Sequence, residues 1–169
     1  MITFIRTILS SVTEGVIKRF AGSGRPGESF TDREYIQHYG YTSRPLAGAE
    51  GILLKQGNNI ILVASDDRRY RITLAEGEVA LYTGEGDYIH MKRGRLVEVN
   101  TRELKIMASE KVSLQTPLVE TTGQIRADLD ITDQAAGTGR SMKSMRDIYN
   151  PHTHPAAGGG TTGIPESQM

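Results

Sequence analysis

The sequence contains no cysteine and no tryptophan, and only three of its 169 residues are phenylalanine. Without cysteine the chain cannot form disulfides, zinc–thiolate sites or a thiol nucleophile, and the redox compartment stays undetermined. The sixty residues from 89 to 148 hold no Phe, Tyr or Trp. Because aromatic side chains normally supply much of the buried area of a core, this stretch is unsuited to an ordinary globular domain.

Long apolar runs are also absent. The longest, residues 52–54 and 60–64, fall far short of the roughly 20 residues that a membrane-spanning helix needs. Arg6 and Glu14 interrupt the apolar residues at the beginning of the chain, so we expect no signal peptide. The 20 basic residues balance 20 acidic ones, which argues against a general binder of polyanions.

Residues 1–21 are predicted to form an N-terminal helical segment. Apolar side chains recur there at spacings of three and four residues, which is typical of an amphipathic helix. We expect this helix, over residues 3–20, to pack on its own domain or on a neighbouring protein, and a helix lying on a membrane surface is the alternative. The apolar positions are Ile5, Ile8, Leu9, Val12, Val16 and Phe20.

Residues 22–75 are predicted to form a small all-β barrel or sandwich. Two apolar strands, residues 51–55 and 60–64, are separated by Gln56-Gly57-Asn58-Asn59, which is a good hairpin signal. The charged residues 66–69 that follow are expected to form a solvated turn.

From about residue 76 the pattern becomes repetitive. Apolar side chains two residues apart recur every seven to ten residues, with turn-forming residues between them. Each unit therefore indicates one short strand with an inward face, followed by a corner. The pairs are Val79/Leu81, Ile89/Met91, Val97/Val99, Leu104/Ile106, Val112/Leu114, Val119/Thr121 and Leu129/Ile131.

One chain cannot bury such a repeat by itself. Two small apolar residues per unit bury too little area to offset a backbone ordering entropy of about 1–2 kcal/mol per residue. Three chains wound together would bury the pairs in a narrow shared core and would pair every strand edge. We therefore predict a homotrimer. A monomeric β-sandwich of short hairpins is the alternative, and the absence of Asn-Gly or Asp-Gly turns from residues 95–121 disfavours it.

The other distinctive motif is a pair of histidines, His152 and His154, with a proline on either side. On an extended backbone, residues i and i+2 face the same side, and proline stiffens that geometry. In isolation such a pair is usually part of a solvated loop. On a threefold axis it becomes six imidazoles, which suit a mid-to-late first-row ion such as iron better than zinc. His38 and His90 have no such partner and are expected to be surface or packing residues.

The pattern as a whole resembles a known family over most of the chain. The residues that carry the likeness are Arg69-Tyr70-Arg71, Gly77-Glu78-Val79-Ala80-Leu81-Tyr82, Gly86, Ile89, Gly94, Leu96-Val97-Glu98-Val99 and His152-Thr153-His154. With these residues the chain resembles the central spike of contractile phage tails. More specifically, it looks like the phage Mu-type baseplate spike, also called baseplate assembly protein V, and is similar to the spike of phage P2.

The resemblance implies an all-β fold in four parts. Residues 1–21 and an OB-fold-like barrel over residues 22–75 would attach the protein to the baseplate hub. Residues 76–141 would form an intertwined triple-stranded β-helix. Residues 142–169 would form the apex, where His152 and His154 of three chains bind one iron ion through six imidazoles.

The resemblance also implies a function. The protein would be a structural component of the virion at the tip of the tail baseplate, and not an enzyme. On sheath contraction it would pierce the host outer membrane and so serve genome ejection. It would be made in the host cytoplasm without a signal peptide.

A metalloenzyme with a cupin-like or trimeric β-helix fold is one alternative. It would place the same two histidines in a catalytic metal site, and Asp147 is the only nearby carboxylate. Catalytic sites need an open coordination position and usually a third protein ligand, which disfavours this hypothesis.

An OB-fold nucleic-acid binder with a trimerisation tail is the second alternative. Such a domain needs aromatic stacking platforms and a basic groove, and Tyr35, Tyr39 and Tyr41 are the candidate platforms. Residues 1–75 carry only ten basic against seven acidic side chains, so we expect no nucleic-acid partner.

Overall fold

A computed structural model describes all 169 residues, and eight of its nine secondary-structure elements are β-strands. The chain forms two compact units, Met1–Met107 and Ala108–Met169. None of its helical structure has the length and apolar character needed to cross a membrane. The elements are β1 (Thr3–Thr13), β2 (Arg19–Ser23), β3 (Ser29–Tyr35), β4 (Glu50–Gln56), β5 (Asn59–Asp66), β6 (Val79–Tyr82), β7 (Tyr88–Lys92), β8 (Leu96–Asn100) and α1 (Met142–Tyr149).

The first five strands close into a barrel in the order β1–β2–β3–β5–β4, and β4 returns to pair with β1. Every pairing is antiparallel except that of β3 with β5, which is parallel. Five strands in a barrel are the strand number of the OB-fold, and the prediction of a small β-barrel in the front half is confirmed. The buried side chains that fill it are Ile5, Leu9, Val12, Phe20, Phe30, Tyr35, Ala49, Leu53 and Leu62.

The helix predicted over residues 3–20 is wrong, because β1 and the beginning of β2 occupy this segment. Ile5 and Leu9 point into the barrel, and the pairing register with β2 then shifts between Leu9 and Ser11. After this irregularity the next buried side chain is Val12. A β-bulge breaks the alternation of two that marks a strand, and the resulting spacings of four and three imitate a helix.

A polar residue that faces into the barrel also interrupts the apolar alternation of β1 in the sequence. Thr7 is only 1% exposed, and its hydroxyl donates a hydrogen bond to the carbonyl of Ser23 at 2.8 Å. The barrel therefore begins at Thr3 and not near residue 22, and residues 1–21 are not a separate helical segment.

The hairpin predicted in the front half is confirmed. β4 and β5 pair antiparallel along their whole length, and Gly57 in the turn has a φ of +59°, a backbone conformation that favours glycine. The charged segment after β5 forms the expected turn, in which Arg69 donates to the carboxylate of Asp67 at 2.6 Å and to the carbonyl of Ala47 at 3.0 Å. The Arg69 guanidinium lowers the pKa of Asp67.

The strands β6, β7 and β8 form a separate antiparallel sheet, so strands are confirmed at the first three apolar pairs of the repeat. The predicted turns at residues 84–86 and 93–94 connect them. The strand register makes the six side chains of these three pairs cross-strand neighbours on one face of the sheet, and each is 42–60% exposed. This apolar face consists of Val79, Leu81, Ile89, Met91, Val97 and Val99.

Residues 101–138 follow β8 without a strand or helix, apart from one isolated bridge between Thr132 and Ser141. Every residue in this range is exposed, including the apolar side chains of the repeat. The strands predicted at the four later pairs do not form within one chain. A strand needs a hydrogen-bonded neighbour for its backbone groups. Of these four segments only the last has one within the chain, where the carbonyl of Ile131 accepts a hydrogen bond from the N–H of Met142 at 2.9 Å beside the bridge.

Candidate functional site

The sheet β6–β8 has a polar face opposite its apolar face, and Glu78 links three parts of the chain there. Its Oε2 lies 3.0 Å from Nε2 of His90 and accepts a hydrogen bond from the N–H of Ala75 at 3.0 Å, while Oε1 accepts one from the N–H of Arg93 at 3.1 Å. The backbone N–H groups of Arg93 and Ala75, together with His90, lower the pKa of Glu78 although burial opposes them. His90 is only 6% exposed and is a packing residue, one of the two roles expected for it.

A second polar cluster on the same face centres on Glu98. Lys92 donates a hydrogen bond to this carboxylate at 2.7 Å, and the hydroxyl of Tyr88 donates another. Lys92, followed by Tyr88, lowers the pKa of Glu98. The polar face is thus internally hydrogen-bonded while the apolar face lies open. This is the reverse of what a monomeric sheet in water should present.

Helix α1 leads the chain to the histidine pair. It begins after Ser141, whose hydroxyl accepts a hydrogen bond from the N–H of Ser144 at 3.1 Å, as an N-cap should. It ends at Tyr149 because Pro151 has no N–H with which to continue the helical ladder. The hydroxyl of Ser141 and the N–H groups of Lys143 and Ile131 also lower the pKa of Asp130, which precedes the helix.

The imidazoles of His152 and His154 lie side by side. Their ring centroids are 4.9 Å apart and their planes are perpendicular. The centroid of the Tyr149 ring, at the end of α1, lies 4.9 Å from that of His152, and the two ring planes are inclined at 45°. His152 is partly buried and His154 is exposed. The two rings are therefore close neighbours.

A backbone carbonyl fixes the tautomer of His152. Nδ1 of His152 is hydrogen-bonded to the carbonyl oxygen of Tyr149, and a carbonyl only accepts, so Nδ1 carries the proton. The lone pair of a neutral His152 is then on Nε2 and available to a metal. Metal-ligating histidines commonly donate their other N–H in this manner, which orients the ring and fixes the tautomer.

One chain brings together two candidate metal ligands, His152 and His154, and no third. The structure contains no cluster of three or more His, Asp or Glu side chains that could hold a metal ion. Asp147 lies on α1 and is paired with Lys143, whose Nζ is 2.5 Å from its Oδ2. A neutral imidazole donor set fits a first-row transition metal, but two imidazoles leave most of its coordination sphere unfilled.

Two contacts at the pair were not found by sequence reasoning. The carbonyl of Tyr149 is a backbone group, for which side-chain patterns give no signal. Thr162, which contacts the backbone of His154, lies in a segment rich in Gly and Thr that has no periodicity.

The three tyrosines considered as stacking platforms are not equivalent. Tyr35 is buried in the barrel and its hydroxyl lies 2.6 Å from that of Ser65, so it offers no face to a base. Tyr39 and Tyr41 are exposed, outside the strands.

Comparison with known proteins gives two matches. The family described as Bacteriophage Mu Gp45, N-terminal, matches residues 6–69. This range includes all of the barrel strands except residues 3–5 at the beginning of β1. The chain is also 30% identical over 147 residues to a protein of Escherichia phage Mu named baseplate puncturing device gp45. That alignment covers 80% of this chain and 74% of the relative.

Proposed function

The chain belongs to the bacteriophage Mu Gp45 family, and from this we propose that it is the central spike of a contractile-tail baseplate. The relative is named as a baseplate puncturing device. We assign the same action to this chain: driven by sheath contraction, it pierces the host outer membrane. In this role it is a structural protein of the virion tail and catalyses no reaction.

The observation that carries the proposal is the open apolar face of β6–β8. All six of its side chains are at least 42% exposed in one chain, whereas the barrel buries its own core. Apolar surface is worth about 25 cal/mol for each Å² removed from water, and a continuous exposed patch of this kind marks an interface. The occupant we propose is the same face of two further copies, in a homotrimer.

The segment after β8 supports the same assembly. Residues 101–138 are all exposed in one chain, yet they carry the apolar pairs of the repeat and no aromatic residue. Small aliphatic side chains fit a thin axial core between three chains. Strands contributed by neighbouring chains would satisfy the backbone groups that one chain leaves unpaired. This gives the intertwined triple-stranded β-helix.

The histidine pair supports a metal centre at the apex of the trimer. His152 and His154 of three chains provide six imidazoles for one iron ion, and no other residue is needed. The ion would join three chain segments at one point by coordination bonds. The residues of this chain supply the ligands, and the carbonyl of Tyr149 orients the first of them.

The barrel is the part we assign to attachment at the baseplate hub. It is a closed unit with its own buried core, so it can hold its shape while the rest of the chain is committed to the trimer. The burial of Tyr35 and the small charge excess of the front half argue against a nucleic-acid partner.

Native mass measurement combined with elemental analysis tests the proposal. We expect a species of about 55 kDa, three times the 18.5 kDa of one chain, with one iron per trimer. A metal-free monomer would contradict both the assembly and the apex. A trimer with no metal would contradict the apex alone.

A further inference from the structure

The chain turns back on itself directly after the second histidine. Pro155 and Thr161 form an antiparallel bridge, and the N–H of Ala156 donates a hydrogen bond to the carbonyl of Gly160 at 3.0 Å. The turn is made by three successive glycines, residues 158–160, with φ angles of +112°, +83° and +118°. Side chains other than hydrogen are strained at such angles, so this turn depends on glycine.

Thr162 ties the returning segment to His154 at two points. The N–H of His154 donates to Oγ1 of Thr162 at 2.9 Å, and the N–H of Thr162 donates to the carbonyl of His154 at 2.8 Å. Both backbone groups of the second histidine are therefore bonded to one threonine. This fixes the backbone from which the imidazole of His154 projects.

A second closure lies just before the first histidine. Oδ1 of Asn150 accepts a hydrogen bond from the N–H of Met169 at 3.0 Å, and Nδ2 of Asn150 lies 3.4 Å from the carbonyl oxygen of Met169. The segment that follows the histidine pair is thus hydrogen-bonded to Asn150, before the pair, and to His154, its second member.

We propose that residues 155–169 form a clip that holds the imidazoles of His152 and His154 in place for the metal, with Thr162 and Asn150 as positioning residues. The inference rests on the proposed metal centre. A mobile H-x-H loop would have to be ordered in each of three chains when the ion binds, and that entropy cost would weaken binding. A clip that is formed in advance removes the cost, as hydrogen bonds behind the ligands do in other metal sites.

The substitution Thr162→Val tests the clip in the full-length trimer. It removes the Oγ1 acceptor of His154 and keeps the shape of the side chain. Three clips act on one ion, so the effect of the substitution is multiplied. We therefore expect iron to transfer to an excess of chelator about 10-fold faster from the Thr162→Val trimer than from the wild-type trimer. The trimer mass should not change. In metal-free protein the amide hydrogen of His154 should exchange faster in the variant.

Two further variants separate positioning from general damage. Thr162→Ser keeps a hydroxyl and should restore the slow transfer of iron. Thr161→Val changes the neighbouring residue, whose part in the bridge to Pro155 is made by its backbone, and should behave as the wild type. Equal transfer rates in Thr162→Val and Thr161→Val would overturn the clip while leaving the metal centre intact. A wild-type trimer without metal would overturn the metal centre and the clip with it.

Discussion

Glu78 and His90 are joined by a 3.0 Å contact between Oε2 and Nε2, with the two side chains only 12% and 8% exposed. The pair lies on the polar face of the sheet β6–β8. The carboxylate of Glu78 also accepts hydrogen bonds from the backbone N–H groups of Ala75 and Arg93. The sheet therefore has a fixed polar side whose hydrogen bonds are complete within one chain. Its apolar side is the surface that we propose to bind other copies.

The first prediction concerns pH and Glu78. Because hydrogen bonds in the folded chain lower its pKa below the ordinary 4.5, the carboxylate stabilises the fold above that pH, and this contribution is lost as the pH falls through the folded-state pKa. We expect Glu78→Gln to lower the melting temperature at about pH 7 and to make little difference at about pH 3. Thermal unfolding followed by circular dichroism measures this. Glu76→Gln, at an exposed neighbour, is the control, and an equal loss in both variants would contradict the role of Glu78.

The second prediction concerns the apolar face. Ile89 is in the central strand, opposite both Leu81 and Val99, so Ile89→Glu places a charge in the middle of the proposed trimer core. Burying an unpaired charge is costly, and we expect the mass in solution to fall from about 55 kDa to the 18.5 kDa of one chain, with the barrel still folded. Val16→Glu, at a fully exposed valine outside the strands, should stay trimeric. A trimer of Ile89→Glu would show that this face is not the interface.

The third prediction concerns the barrel. A Cβ atom on Gly22 would lie 2.6 Å from the carbonyl oxygen of Ile8 and 2.9 Å from Oγ1 of Thr7. The backbone cannot make room cheaply there, so Gly22→Ala should lower the free energy of unfolding by about 1–3 kcal/mol. At Gly15 the nearest atom to an added Cβ is 3.4 Å away, and Gly15→Ala should be close to neutral. Chemical denaturation of both variants compares them, and equal midpoints would be inconsistent with the close approach at Gly22.

The fourth prediction concerns the histidine pair. His152→Ala or His154→Ala removes three of the six proposed ligands from each trimer, and we expect the iron content to fall to near zero while the trimer mass is kept by the apolar core. His38→Ala, at an exposed histidine of the front half, should retain one iron per trimer. Elemental analysis of the purified variants decides between these outcomes. Unchanged iron in both apex variants would place the metal elsewhere.

The features predicted correctly from the sequence are those that local residues determine. The hairpin between β4 and β5 follows from Gly57 and its polar neighbours between two apolar strands. The strands β6–β8 follow from apolar side chains two residues apart with turn residues between them. In both cases the turn residues lie directly between the strands that they join, so a short stretch of sequence is enough to indicate the structure.

The features that were missed depend on contacts between distant residues. The shift of register between Leu9 and Ser11 arises from pairing with β2, and it turned a strand pattern into a helical one. The inward-facing Thr7 finds its hydrogen-bond partner sixteen residues away. Near the histidine pair, the contact between Asn150 and Met169 spans nineteen residues, and neither residue type indicates it.

The exposure of residues 101–138 has a kinetic consequence. The barrel precedes this segment in the chain and can fold as each molecule is made, by a first-order process. In the proposed trimer, residues 101–138 would pair only when three molecules meet, so the rate of that step would depend on protein concentration. Dissociation of the proposed trimer would require three intertwined chains to separate together. The assembly would then persist through a high kinetic barrier to unfolding rather than through the stability of any one chain.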